Sequence, residues 1–200
     1  MRFLLLWLAA SLSLYAVQID AIAVVVNTDL IKDSDINRDL LATQMLNGDP
    51  PSLTASARKK DAAHLIDQVF IREEIRDGAY PIATEDQADK ELNQLIADRY
   101  KNHAELDAAL KRYHLTEPDL RELFRWQLTV LNFIDARFRP AVLITDEAVN
   151  KYFSQHRAQV KSESDARDIL TNEQVNKLLF EWLDQHRKNA KVRYLEAGLA

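Results

Sequence analysis

The 200 residues contain no cysteine and only three glycines, while 28% are charged and the net charge is −5. The lack of cysteine excludes disulfides and thiolate metal ligands, and the acidic balance argues against nucleic acid, which needs a basic surface. So few turn-forming residues are unusual for a β-protein. The composition predicts a mainly α-helical protein held together by packing.

The chain begins with a pattern typical of a secretory signal peptide. Arg2 supplies a positive charge, and residues 3–14 form an apolar stretch that is shorter than the roughly 18 residues of a bilayer span. Ala16 is the expected cleavage position, with Leu14 larger than the small residue usually found two places before it. We expect residues 1–16 to direct export. An uncleaved anchor and a buried helix are the alternatives.

A strand, a turn and a helix start follow the leader. Within Ile19–Val26, the apolar run Ala21–Val26 includes three consecutive valines, which favour a strand. Residues 27–29 are typical of a turn, Leu30 and Ile31 briefly resume the apolar pattern, and Ser34 is the predicted helix cap.

Caps and breakers predict seven helices. Their expected bounds are about Ser34–Leu46, Thr54–Arg76, Thr84–Tyr100, Ala104–Tyr113, Thr116–Phe138, Asp146–Gln155 and Asn172–Asn189. Thr171 and Gln174 form a predicted capping box for the last helix. The polar residues 156–168 before it have little to bury, so they are predicted to form a bridge.

The C-terminal segment Val192–Leu195 alternates polar and apolar residues, as a half-buried strand does. A single strand leaves its backbone groups unpaired, so we predict that this segment pairs with Ile19–Val26. The expected fold is mainly α, with a small two-stranded β element that joins the chain ends. Residues 169–200 would then complete the domain formed by residues 17–155. A disordered tail is the alternative.

Short segments along the chain share their order and spacing with a known family. They are Val26-Asn27, Ile31, Ser34-Asp35-Ile36, Leu65-Ile66-Asp67-Gln68, Ala136-Arg137-Phe138-Arg139-Pro140, Ile144-Thr145-Asp146-Glu147, Tyr152-Phe153, Val175, Leu178, Glu181-Trp182-Leu183 and Val192-Arg193. Together they resemble the SurA-type periplasmic chaperones over nearly all of the chain behind the leader. The resemblance implies a SurA N-terminal-like helical domain and a periplasmic chaperone for unfolded secreted or outer-membrane proteins.

The chain departs from that family in one respect. Family members usually carry one or two parvulin-type prolyl isomerase domains between the helix after the Ile-Thr-Asp-Glu segment and the terminal helix. Here only residues 153–169 are free at that place, and they are too few to form such a domain. We therefore expect a holdase that works without isomerase catalysis, ATP or a cofactor.

No group of residues in the sequence predicts catalysis or a metal site. His64 lies beside Asp61 and Asp67 on one predicted helix, which could hold a metal or an acid–base pair but is more typical of a helix surface. No HExxH, P-loop, GxSxG or GxGxxG sequence occurs. Glu73-Glu74 lies among basic residues and is typical of solvated charge. The prediction is therefore a non-enzyme, with a residual isomerase as a remote alternative.

The fifth predicted helix carries an apolar arc of about 220°, whereas an ordinary surface helix needs little more than 100°. Trp126, Val130 and Phe133 occupy one shoulder of this arc. Either the helix is covered on two sides, or this shoulder lines a groove for apolar client segments. Weaker candidates for the same wall are Tyr152, Phe153 and Trp182.

Two functions remain compatible with the sequence. The first is a holdase that buries apolar segments of unfolded clients, assisting protein folding and outer-membrane protein assembly. The second is an envelope scaffold with one fixed partner. Met45 is the only methionine behind the leader, whereas promiscuous surfaces often use methionine. Neither function involves nucleic acid or stable membrane insertion after cleavage.

Overall fold

The computed structural model describes residues 20–199. The predicted signal peptide, residues 1–16, lies outside this range. The seven helices of the described chain are α1 (Asp33–Asn47), α2 (Ala55–Asp77), α3 (Glu85–Arg99), α4 (His103–Arg112), α5 (Glu117–Arg137), α6 (Asp146–Gln155) and α7 (Glu163–Asn189). Three strands accompany them: β1 (Ile22–Val26), β2 (Asp29–Lys32) and β3 (Val192–Tyr194). The prediction of a mainly α fold with a small β element is confirmed.

Threonine caps define the starts of four helices, and all four begin within one residue of the predicted starts. The side chains of Thr54, Thr84, Thr116 and Thr145 each accept a hydrogen bond from the backbone N–H three residues later. These bonds satisfy amide groups that have no partner inside the helix. Within residues 20–199, no helix combines the length and the apolar character needed to cross a bilayer.

The sheet has the order β2-β1-β3, with antiparallel neighbours. Val24 lies opposite Tyr194, and Val26 lies opposite Val192, so the predicted pairing of the two ends is confirmed. The sheet has one strand more than predicted. Residues 29–32 are sufficient for a short hairpin with β1, in which Ile31 is buried opposite Val24.

Asn27 connects the hairpin turn to β3 and α2. Its φ of 53° lies in the left-handed region, which asparagine tolerates better than most residues. Its backbone N–H donates to the Lys191 carbonyl at 3.0 Å, and its Oδ1 accepts from the Lys191 N–H at 3.1 Å. Its Nδ2 also donates to Glu73. One side chain therefore positions three elements.

Two large apolar clusters share α5. Phe70, Phe133 and Trp182 belong to the main cluster, which packs β1, α2, the end of α5 and α7 together. Leu106 and Leu120 belong to a second cluster built from α1, α3, α4 and the start of α5. The wide apolar arc of α5 is thus explained mostly by the two clusters, because the start of the helix packs into one and its end into the other.

One predicted helix cap and one predicted helix start are wrong. α1 is preceded by Lys32, not Ser34; the Ser34 hydroxyl donates to Asp20 instead. α7 begins at Glu163 with Ser162 as its cap, nine residues before the predicted Asn172. Thr171 lies inside this helix, where its hydroxyl donates to the Arg167 carbonyl.

The predicted polar bridge is consequently shorter than residues 156–168. Only residues 156–162 connect α6 to α7. Val160 and Ala166 are buried, together with Val149 of α6, in a third small cluster. Residues 156–168 have few apolar side chains, but Val160 and Ala166 both pack against α6. This packing accounts for the earlier start of α7.

Candidate binding groove

A groove of about 330 Å³ opens where α1, α2 and α5 meet beside β2. Each helix contributes residues three, four or seven positions apart, which is the spacing of one helix face. The apolar part of the lining includes Leu65, Leu123 and Trp126. Leu30 of β2 lies at the edge, and 52% of its surface is exposed. The groove is therefore an open site with an apolar wall.

Trp126 is held in place from two sides. Its indole N–H donates a hydrogen bond to the Gln68 side chain. The guanidinium carbon of Arg72 lies 4.1 Å from the centre of its ring, within the range of a cation–π contact. The side chain is half-buried and packs against the main cluster. Part of it lines the groove.

Carboxylates outnumber basic groups around this wall. Five acidic residues line the groove: Asp29, Asp35, Asp39, Asp119 and Glu122. The basic residues are Arg38 and Arg72. Arg38 Nε lies 3.2 Å from an Asp119 oxygen, and Arg72 covers Trp126. The two arginines are thus engaged within the protein, and the lining keeps a negative excess.

A buried carboxyl group and a half-buried one form a pair at the α1–α2 contact next to the groove. Asp61 is only 8% exposed and hydrogen-bonds to Asp39, which lines the groove. Burial, and then the charge of Asp39, raises the pKa of Asp61 to about 8. Near neutral pH, Asp61 therefore holds a proton and donates to the Asp39 carboxylate. Its Oδ2 has no partner among residues 20–199.

The predicted site residues do not form one wall. Trp126 lines the groove, whereas Val130 is half-buried against the main cluster. Phe133 is fully buried, and its ring centroid lies 5.7 Å from that of Trp182, which is also buried. Phe133 and Trp182 are therefore core residues in this fold, and their prediction as groove residues is corrected.

Tyr152 and Phe153 lie elsewhere on the molecule. Both are half-buried on α6, in the small cluster shared with the start of α7. The Tyr152 ring stacks on His156, with centroids 4.1 Å apart. These two residues do not line the groove between α1, α2 and α5.

His64 is exposed on α2, and its Nε2 lies 3.1 Å from the Gln68 amide nitrogen. Asp67 forms an ion pair with Arg187 of α7 and is not directed to His64. Among residues 20–199, no group of three or more histidine, aspartate or glutamate side chains is arranged to hold a metal ion. The arrangement of His64 is that of a surface residue.

Sequence reasoning missed most of the groove. Leu30, Leu65, Leu123 and Arg72 were not identified, although Leu65 and Leu123 each share a helix face with other lining residues. The spacing could have revealed each face separately. It could not reveal that the three faces meet, because that depends on how the helices cross.

No protein-family model matches the sequence, and no curated protein matches it either. The similarity to SurA-type chaperones therefore stays a prediction that rests on the residues of this chain.

Proposed function

We propose that this protein is a periplasmic holdase. It binds unfolded secreted or outer-membrane proteins through the groove between α1, α2 and α5, without ATP and without isomerase catalysis. The observation that carries the proposal is an open groove with accessible apolar side chains, Leu30 and Trp126, on a small helical domain. The order of short sequence segments along the chain, which resembles that of SurA-type chaperones, supports the same function.

The size of the groove suits transient contacts with clients. Its volume of about 330 Å³ is at the lower end of ligand pockets, which range from about 300 to 1,000 Å³. Such a space takes one or two bulky side chains of an extended segment. Binding one short apolar segment at a time is weak and reversible, and this is what a holdase needs in order to release its client.

Suppression of aggregation tests this proposal. The full chain is mixed with several unrelated chemically unfolded proteins, and light scattering is followed over time. We expect the protein to lower the scattering, and Leu30→Thr to weaken the effect at least twofold because it removes apolar surface from the groove edge. Threonine keeps the β-propensity of the strand.

Leu143→Thr is the matched control. Leu143 is 92% exposed and lies outside the groove, so the same substitution there leaves the activity unchanged. Both variants should keep the melting temperature of the parent protein. Equal losses of activity in the two variants would contradict a role for the groove. A proline-peptide assay on the same samples should show no isomerisation above the uncatalysed rate.

A second candidate function is an envelope scaffold with one fixed partner. Met45 is buried in the second cluster, so no methionine lines the groove. Gln68 and Arg72 fix Trp126 in one orientation, which favours a defined ligand over an adaptable surface. A scaffold would leave aggregation of unrelated clients unchanged, and crosslinking in the envelope would recover one protein.

A further inference from the structure

We propose that the groove selects segments in which a bulky apolar side chain is flanked by lysine or arginine. This inference rests on the proposed binding of unfolded clients and specifies which segments they offer. Its basis is the arrangement of carboxylates around the apolar wall.

The acidic groups come from three elements and line the same groove as the apolar residues. β2 provides Asp29, α1 provides Asp35 and Asp39, and α5 provides Asp119 and Glu122. Leu65, Leu123 and Trp126 lie in the same lining. Successive residues of an extended chain are about 3.3–3.6 Å apart. A segment that places one side chain on the wall therefore brings its neighbours close to the carboxylates.

The two basic groups of the lining offset only part of the charge of its five carboxylates, and Arg76 outside it lies 3.8 Å from Asp29. Arg38 pairs with Asp119 and Arg72 with the ring of Trp126, so neither is directed to a ligand's carboxylate. Glu122 is exposed and forms no ion pair with any residue from 20 to 199. A cation next to a bound apolar side chain gains attraction, whereas a carboxylate there is repelled.

Three labelled peptides of equal length test the selection. They share a central Phe-Leu pair and differ only in the flanking residues, which are lysine, glutamine or glutamate. Fluorescence anisotropy with the full chain measures their dissociation constants. At low salt we expect the lysine peptide to bind about tenfold more tightly than the glutamate peptide, with glutamine between them. The difference should shrink in about 1 M salt, because exposed charges are then screened.

Two substitutions with the same charge change locate the effect. Glu122→Lys changes the groove, whereas Glu173→Lys changes an exposed position of α7 outside it. We expect Glu122→Lys to remove most of the preference for lysine, and Glu173→Lys to keep it. Equal effects of the two variants would mean that only the net charge matters, and the proposal would be overturned.

The outcomes separate this inference from the proposed function. If all three peptides bind equally and Leu30→Thr weakens each of them, charge selection is wrong while the groove remains the client site. If none of the peptides binds and unfolded clients still aggregate, both proposals fail. Tighter binding of the lysine peptide that depends on Glu122 supports both.

Discussion

The Asp61 carboxyl group hydrogen-bonds to that of Asp39 where α1 packs against α2. Because burial and the neighbouring charge raise the pKa of Asp61 from 3.8 to about 8, the folded protein holds a proton that the unfolded chain has lost across this range. This contribution to stability is complete below pH 3.8. It declines as the pH rises and is lost once the pH passes about 8.

The variant Asp61→Asn tests this dependence. Asparagine keeps the shape and can donate to Asp39 without carrying a charge. We expect it to raise the free energy of unfolding at pH 8 by about 1–3 kcal/mol, because the parent must take up a proton on folding or bury a charge, whereas the amide does neither. Urea unfolding at a series of pH values provides the measurement.

The same series contains its own control. Near pH 4 the parent carboxyl group is protonated in the folded state and about half-protonated when unfolded, so the variant should gain little there. A gain that is equal at pH 4 and pH 8 would show that the substitution acts through packing, and that the proton on Asp61 has no part in it.

Replacing Phe133 and Trp126 in turn separates core from groove. Phe133 is fully buried against Tyr80, Phe138 and Trp182, so Phe133→Ala should cost about 3–5 kcal/mol of stability. Trp126 is half-buried, and Trp126→Ala should cost only about 1–2 kcal/mol. Only the second variant should weaken client binding when each is compared at a temperature where it is folded. Equal stability losses would assign Trp126 to the core.

Substitutions of Asn27 measure how much this residue of the β1–β2 turn contributes to the stability of the fold. Asn27→Ala removes the side-chain hydrogen bonds with Lys191 and Glu73 and places a Cβ-bearing residue without a local polar group at φ 53°. We expect a loss of about 1–2 kcal/mol in chemical unfolding. Asn27→Gly loses the same contacts but tolerates the backbone, so it should cost less. If glycine is as harmful as alanine, the hydrogen bonds alone account for the loss.

Two alanine substitutions, at Ser162 and at Thr171, test where α7 begins. Ser162→Ala removes the cap that accepts from the Asp165 N–H, and it should cost about 1 kcal/mol. Thr171→Ala removes only a bond to a carbonyl inside the helix, so its cost should be smaller. Thermal unfolding of both variants gives the comparison. The opposite order would support a helix that begins at Asn172.

The predicted and observed folds agree where local chemistry decides. Thr84 and Thr116 each have a polar residue three positions later that can complete a capping box, and both helices begin as predicted. The Ser34 and Thr171 predictions used the same rule and failed. The Ser34 hydroxyl donates to Asp20 and does not cap the helix. Val160 and Ala166 pack against α6, and α7 therefore begins N-terminal to Thr171.

The groove was predictable only in part. The apolar shoulder of α5 indicated Trp126 as a candidate, and this residue does line the groove. Phe133 has the same periodicity but is buried, because α7 covers the C-terminal half of α5 and leaves Trp126 open. Helical spacing identifies a face, but it does not identify which neighbour covers each turn of that face.

The pairing of β1 with β3 also constrains how the molecule is made. One edge of β1 lacks its partner until residues 192–194 have been synthesised, and the buried valines Val24 and Val26 lie on that strand. Until then the nascent chain presents an open apolar strand edge, which can pair with other chains. A protein that we propose to keep others from aggregating is therefore itself vulnerable to aggregation during synthesis, until β3 has been added.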